Sequence, residues 1–186
     1  MTAILKVDTI QDTSGNNIIN ESSDTITIGA SGDTTNIVGT LQNNGSAVGG
    51  LAQVKYAQTQ SAQTIGSASL TDLTSLSLSV TPASSSNKIL IQASVSGLIQ
   101  ANDRGFSLAI VRDSTVVLQD TEKKAFYVYM SSGTPEINVR MPFTFLDSPS
   151  TTSATTYKIQ AKTENGSNVV FNNGIVSSIT VMEVSV

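Results

Sequence analysis

Apolar and polar residues alternate with a period of two through most of the second half of the chain. In "KILIQASVSG" (88–97) almost every second residue is apolar, and "EINVRMPFTFL" (136–146) repeats the pattern with bulkier side chains. Such alternation is typical of strands that bury one face. The clearest predicted strands are 88–97, 105–112, 136–146, 155–163 and 177–186, and weaker ones are 52–60, 73–80, 115–120, 125–130 and 168–172.

Turn-forming residues separate these predicted strands, as in "PASSSN" at 82–87, "NDRG" at 102–105 and "SSGTP" at 131–135. Pro142 lies inside the strongest alternation. Because proline cannot donate a hydrogen bond to a neighbouring strand, we expect its strand at a sheet edge or with a bulge at this position. Many short strands at this spacing predict an all-β fold, a β-sandwich of the jelly-roll type.

The first fifty residues differ in composition from the rest. All nine aromatic residues follow residue 55, whereas residues 1–50 offer only aliphatic side chains to a core. Two adjacent glycines in "GSAVGGLAQ" (45–53) favour a joint between the two parts. We therefore predict a slender N-terminal part, residues 1–50, and a globular C-terminal head, residues 51–186.

The slender part is too poor in apolar side chains to fold alone. Burying one aliphatic side chain contributes about 1.5–3 kcal/mol, whereas ordering each residue costs about 1–2 kcal/mol of backbone entropy. Three chains side by side would let each apolar residue meet its symmetry copies, which predicts an intertwined trimeric β stem. The predicted contacts are Ile26, Ile28, Ile37 and Leu41. A disordered tether and a single-chain β-solenoid stay open as alternatives.

The last predicted strand, in "ITVMEVSV", is apolar on both alternating sets of positions, with Glu183 as the exception. A strand that is apolar on both faces must be covered on both faces. It is either a central strand beneath a loop, or its outer face packs against the same strand of sister chains around a threefold axis. The second interpretation adds Ile179, Val181, Met182 and Val184 to the predicted trimer contacts.

The composition excludes several classes of function. The chain has no Cys and no His, which excludes zinc fingers and thiol nucleophiles and removes the commonest general base. Its formal net charge of −4 argues against nucleic-acid binding. No apolar run reaches the ~18 residues of a membrane span, and the start lacks a secretion signal. We expect a product made in the cytoplasm, without membrane insertion, cofactor or metal.

Several stretches resemble a known group of proteins. "LKVDTIQDTSGNNIIN", followed by "DTITIGASGDTTNIVGTL", resembles the N-terminal region of tail-fibre and other appendage proteins of marine bacteriophages. "PASSSNKILIQASVSGL", "FTFLDSPSTTSATTYKIQ" and "ITVMEV" resemble the C-terminal head of the same group. The resemblance implies a homotrimeric virion fibre whose head is similar to the jelly roll of tumour-necrosis-factor-like trimers, with its final strand near the threefold axis.

The resemblance also implies partners for both ends of the chain. The N terminus would dock on other phage tail or capsid proteins, and the head would meet the host surface. In "MTAILKVDTIQD" the apolar residues need a partner, so the predicted virion anchor is Ile4, Leu5, Val7 and Ile10. A capsid decoration or tail connector without a receptor role is the structural alternative.

Two short segments are candidates for receptor binding, with a host glycan as the expected ligand. Asn102, Asp103 and Arg104 lie at a predicted loop tip, where recognition residues are common. Tyr127 and Tyr129 alternate in "KKAFYVYM", so they share a face and could stack on a sugar. Core or interface tyrosines stay open as the alternative.

An enzymatic function is not expected. Acid pairs such as Asp113 and Asp120 could in principle serve a glycosidase, but they are better interpreted as solvated acids in turns. The chain also lacks the Trp that sugar-cleaving clefts usually contain. A polysaccharide depolymerase is therefore only a minor alternative.

Overall fold

The computed structural model describes residues 9–11, 13, 17–22, 25–28, 32, 34–35, 42–43, 46–47, 50–120 and 125–185. The chain divides into two compact units, Met1–Val48 and Gly49–Val186. Several predicted contact residues lie outside the described part, namely Ile4, Leu5, Val7, Ile37 and Leu41, and so does the side chain of Ile26.

The first unit contains a three-stranded antiparallel meander and a small hairpin. The meander consists of β1 (Thr9–Gln11), β2 (Asn17–Ser22) and β3 (Thr25–Ile28), and the hairpin of β4 (Gln42–Asn43) and β5 (Ser46–Ala47). The register places Ile10, Ile19 and Ile28 in one row across the meander. Ile10 is 39% exposed and Ile28 is 55% exposed. The meander pairs within one chain and leaves these two side chains accessible.

The second unit is the head, and its all-β architecture is confirmed. Its strands are β6 (Leu51–Thr59), β7 (Gln63–Ile65), β8 (Thr71–Val80), β9 (Lys88–Ile99), β10 (Arg104–Arg112), β11 (Thr115–Gln119), β12 (Phe126–Val128), β13 (Ile137–Asp147), β14 (Thr155–Thr163), β15 (Val169–Phe171) and β16 (Ser177–Val184). Each of the predicted strands is present, and the short strand β7 is additional. A single turn of 3-10 helix, Glu164–Gly166, connects β14 to β15.

These strands form two antiparallel sheets. Sheet I has the order β6-β16-β9-β15-β7, with β13 also paired to β9, and sheet II has the order β11-β10-β14-β8, with β12 also paired to β10. Among the described strands β13 pairs only with β9, and Pro142 lies opposite Ser94 in that pair. The expectation that the proline-containing strand lies at a sheet edge is therefore confirmed.

The hydrophobic core lies between the two sheets. Alternate residues of β14 point inward, so Tyr157, Ile159 and Ala161 are fully buried. Phe106 of sheet II packs edge-on against Phe171 of sheet I, with ring centroids 5.2 Å apart. Most of the other buried residues are aliphatic, and each of these aromatic rings adds a large buried apolar area.

Side chains from sheet I cap the open edge of β8 in sheet II. Gln53 Nε2 donates to the carbonyl of Thr81 at 2.8 Å, and Lys55 Nζ donates to that of Ser79 at 2.6 Å. Gln63 Nε2 donates to the carbonyl of Asp72, while its Oε1 accepts from a nearby backbone N–H, both at 2.8 Å. Backbone groups of an edge strand are thus satisfied by side chains instead of by another strand.

Candidate functional site

The loop that connects β9 of sheet I to β10 of sheet II carries the first group of predicted receptor residues. Asn102 Nδ2 donates to the carbonyl of Met130 at 2.5 Å, and the N–H of Met130 donates back to Asn102 Oδ1 at 2.5 Å. Because both ends of its amide are engaged, Asn102 ties the β9–β10 loop to the segment after β12. Its role in the folded chain is therefore to hold this loop cluster together.

The second group of predicted residues, Tyr127 and Tyr129, lies beside this β9–β10 loop. Asp103 has a left-handed backbone (φ 55°), and its Oδ1 accepts a hydrogen bond from the Tyr127 hydroxyl. Tyr127 lies opposite Gly105 across β10 and β12, and a Cβ at Gly105 would be 2.8 Å from the tyrosine ring. Tyr129 is 72% exposed, two residues further along the chain. The structure thus brings Asn102, Asp103 and Tyr127 together and leaves Tyr129 accessible.

An open cleft of about 420 Å³ lies next to the same β9–β10 loop, on the outer side of sheet I. Its lining comprises Thr64, Leu98, Gln100, Ala101, Arg104, Asn168 and Val170. Arg104 is the one predicted receptor residue in this lining. Thr64 of β7 and Asn168, which precedes β15, were not predicted as site residues. They are distant from Arg104 in the sequence and belong to no recognisable motif.

A glycine fixes one wall of the cleft. A Cβ at Gly66 would lie 2.2 Å from Asn168 Oδ1, so only glycine leaves room for this amide in its observed position. The backbone N–H of Thr163 donates to the carbonyl of Ser67 at 2.8 Å and holds the same two segments together. The position of the Asn168 amide therefore depends on the turn after β7.

A second surface feature is an exposed apolar row on the outer face of sheet I. The strand registers align Val54, Met182, Leu90 and Leu146 across β6, β16, β9 and β13. Val54 is 55% and Leu146 54% exposed, and the other two are partly exposed. We call this set the apolar row. The next aligned set along the strands contains Tyr56, Thr180, Gln92 and Thr144, and none of these is charged.

The structure corrects part of the prediction for the last strand. Ile179 and Val181 are 0% and 1% exposed, because they point into the core of their own head, and they cannot contact another molecule. Met182 and Val184 lie on the opposite face and are partly exposed. β16 is a central strand between β6 and β9, and only its outer set remains a candidate for contacts between chains.

Glu183 is a buried acid that the alternation did not explain. It is 0% exposed on the inner face of β16 and accepts hydrogen bonds from Gln53 Nε2 at 2.6 Å, Asn87 Nδ2 at 2.6 Å and the Ala83 N–H at 2.7 Å. Burial raises its pKa, but these hydrogen bonds outweigh burial and hold the pKa below its ordinary value. Every partner comes from a distant part of the chain, so no local motif indicates them.

Asp147 forms a second buried polar cluster, which joins the two sheets. Arg112 Nη1 donates to Asp147 Oδ2 at 2.8 Å, and the hydroxyl of the fully buried Tyr157 donates to the same oxygen at 2.6 Å. Burial and the adjacent Asp147 carboxylate raise the pKa of Tyr157. Burial lowers the pKa of Arg112, but the hydrogen bond and charge of Asp147 outweigh this effect and raise it. None of these groups lines the cleft, and their role is structural.

Two classes of site were not found in the described part of the chain. It contains no group of three or more His, Cys, Asp or Glu side chains arranged to hold a metal ion. Among the same residues, no helix has the length and apolar character needed to cross a membrane.

Solved structures show a weak similarity to this chain. The structure of the infectious bursal disease virus Gx strain matches with a TM-score of 0.40 and 12% identity, over 72% of this chain and 38% of that chain. The infectious bursal disease virus VP2 subviral particle matches with the same TM-score and identity, over 83% and 44%. Dimeric latent PorU from Porphyromonas gingivalis matches with a TM-score of 0.34 and 11% identity, over 78% and 14%.

This chain therefore spans less than half the length of the chains it matches. At these scores the similarity does not assign the chain to their fold families. No protein-family model and no curated protein matches the sequence.

Proposed function

We propose that the chain is a non-enzymatic subunit of a homotrimeric phage virion fibre. The first unit attaches to the virion through other tail or capsid proteins, and the head binds the host surface, with a glycan as the ligand. The sequence resemblance to phage appendage proteins supports the virion role. The single structural observation that carries the proposal is the apolar row on an exposed sheet face.

The apolar row supports association with identical chains. It crosses four neighbouring strands and contains four aliphatic side chains, so it is a continuous surface and not a scatter of single residues. Each such side chain contributes about 1.5–3 kcal/mol when it moves from water into an interface. On one side of the apolar row the neighbouring aligned set is uncharged, and on the other side Lys88 is the charged member of the set that contains Leu51 and Val184.

The first unit supports the same assembly. Ile10 and Ile28 share one row of the meander and are exposed in a single chain. Sister chains would cover Ile28, which is a predicted stem contact, whereas Ile10 belongs to the predicted virion anchor. Three heads displayed on one stem would bind a repetitive surface more tightly than one head does, because weak contacts add through avidity.

The solution mass of the full chain tests this proposal. We expect the purified protein to have three times the mass of one 19.4 kDa chain. The Val54→Asp variant places a charge in the apolar row, which is tolerated in a single chain but not in a dry interface. We expect the solution mass of this variant to fall towards that of a single chain, while its circular dichroism spectrum remains that of a folded β protein.

Ser77→Asp is the matched control, because Ser77 is exposed on β8 of sheet II. It should retain the mass of the wild type. A wild-type protein that stays monomeric at high concentration would overturn the trimer. A trimer that is unaffected by Val54→Asp would exclude the apolar row as its interface. Labelled antibody against the head, viewed on virions by electron microscopy, distinguishes a fibre tip from a capsid decoration.

A further inference from the structure

The geometry points to a binding site for an acidic sugar, such as a hexuronate, in the cleft beside Arg104. This inference rests on the proposed receptor-binding function and names the chemical class of its ligand. The cleft volume of about 420 Å³ falls within the range of small-molecule sites, about 300–1,000 Å³.

The polar groups of the cleft are free to bind a ligand. Within the described part of the chain, no hydrogen bond uses the side chains of Thr64, Gln100 or Asn168. Three neutral groups that can both donate and accept therefore line the same space. Hydroxyl groups of a sugar need such partners, because each hydroxyl is at once a donor and an acceptor.

Among the described residues of the lining, Arg104 alone is charged, in a chain of net charge −4. Its one hydrogen bond to the described residues is long, 3.4 Å from Nη1 to the carbonyl of Asp103, and no described carboxylate forms an ion pair with it. A guanidinium can donate two parallel hydrogen bonds to a carboxylate. This pairing selects an anionic ligand and fixes its orientation.

The apolar part of the lining distinguishes a sugar acid from a bare anion. Leu98 is 5% exposed and Val170 is partly exposed, and the two lie opposite each other in neighbouring strands. They can pack against the C–H groups of a sugar ring. A phosphate site would instead gather backbone N–H groups or several cations around the ligand. One cation, neutral amides and an apolar floor fit a ring that carries a single carboxylate.

Titration of the purified full chain with D-glucuronic acid and D-glucose tests this inference. The two probes differ at C6, where only the first carries a carboxylate. We expect glucuronate to bind at least about tenfold more tightly than glucose, because hydrogen bonds between charged groups are stronger than those between neutral groups. Amide chemical shifts that change on titration should belong to Thr64, Gln100 and Asn168.

Three variants make the result specific. Arg104→Gln should abolish the preference for glucuronate, and Gly66→Ala, which displaces the Asn168 amide, should weaken both sugars. Arg140→Gln is the matched control, because Arg140 is exposed on β13 of the same sheet but does not line the cleft. It should behave as the wild type. Circular dichroism of each variant confirms that it is folded.

Two results would overturn the inference: equal affinity for both sugars, including no binding of either, or a glucuronate preference that survives Arg104→Gln. The proposed trimeric fibre is tested independently of the sugar site, because its test is the solution mass of the full chain. A trimer without glucuronate preference would remove the sugar-acid site and keep the fibre. A monomer that prefers glucuronate would keep the site and remove the trimer.

Discussion

Glu183 shows how one residue can couple the stability of the head to pH. Its carboxylate accepts hydrogen bonds from two separate segments, from Gln53 on β6 and from Ala83 and Asn87 in the loop between β8 and β9, in a site without solvent access. The folded state holds the pKa below the ordinary value of 4.5, so folding favours the ionised form. The resulting contribution is present above about pH 4.5 and is lost as the pH falls through the lower pKa of the folded state.

The Glu183→Gln variant should therefore be less stable at neutral pH. The N–H donor of the new side-chain amide would face one of the donors that bind Glu183 in the wild type. Losing one charged hydrogen-bond acceptor lowers the free energy of unfolding by about 2–3 kcal/mol. The difference from the wild type should shrink as the pH falls below about 4.5, because the wild-type acid then also becomes protonated. Urea unfolding at a series of pH values measures both effects. Glu136→Gln, at an exposed position, should leave the stability unchanged. A constant difference across the pH range would contradict this account.

At the scale of the strand, the packing of β9 against sheet II depends on a glycine, Gly97. A Cβ at Gly97 would lie 2.8 Å from Cε1 of Phe106, whose ring is buried between Phe126 and Phe171. Phe106 is only 1% exposed, so a shift of its ring would have to displace buried neighbours. The absence of a side chain at Gly97 therefore sets how closely β9 of sheet I approaches β10 of sheet II.

Gly97→Ala should destabilise the head by about 1–3 kcal/mol, the usual cost of overpacking a core. Urea unfolding would measure this loss. Combining it with Phe106→Leu should recover part of the stability, because the smaller side chain yields space to the new methyl group. Gly50→Ala is the control, since a Cβ there meets no atom within 4 Å. Additive losses in the double variant would contradict the proposed contact.

The strands could be predicted from the sequence, whereas the cleft could not. Alternation identifies β9, β13 and β14 because every second residue is more buried than its neighbours over at least eight positions of each strand. β7 escapes because it has only three residues, of which Ile65 alone is fully buried. The cleft needs that strand, and it combines positions 64, 98, 104 and 168, whose spacing carries no signal. Likewise, the pattern shows that Glu183 faces inward but not which donors meet it.

At the scale of the whole head, the two surface features lie apart on the same sheet. Leu90 of the apolar row and Leu98 of the cleft are both on the outer face of β9, eight residues apart. Eight residues of extended strand span about 26 Å, at about 3.3 Å per residue. An assembly contact centred on the apolar row would therefore not have to cover the cleft. One sheet can serve both proposed roles.

The capping of β8 by side chains has a consequence for solubility. An open strand edge is a template on which further chains can add, and this growth leads to amyloid. The contacts of Lys55 and Gln63 occupy backbone groups that an incoming strand would use. The Lys55→Ala/Gln63→Ala variant should therefore form thioflavin-binding aggregates sooner than the wild type during gentle heating. Lys162→Ala, a charge-matched change on β14, should not. Equal lag times for all three proteins would show that the edge is protected in some other way.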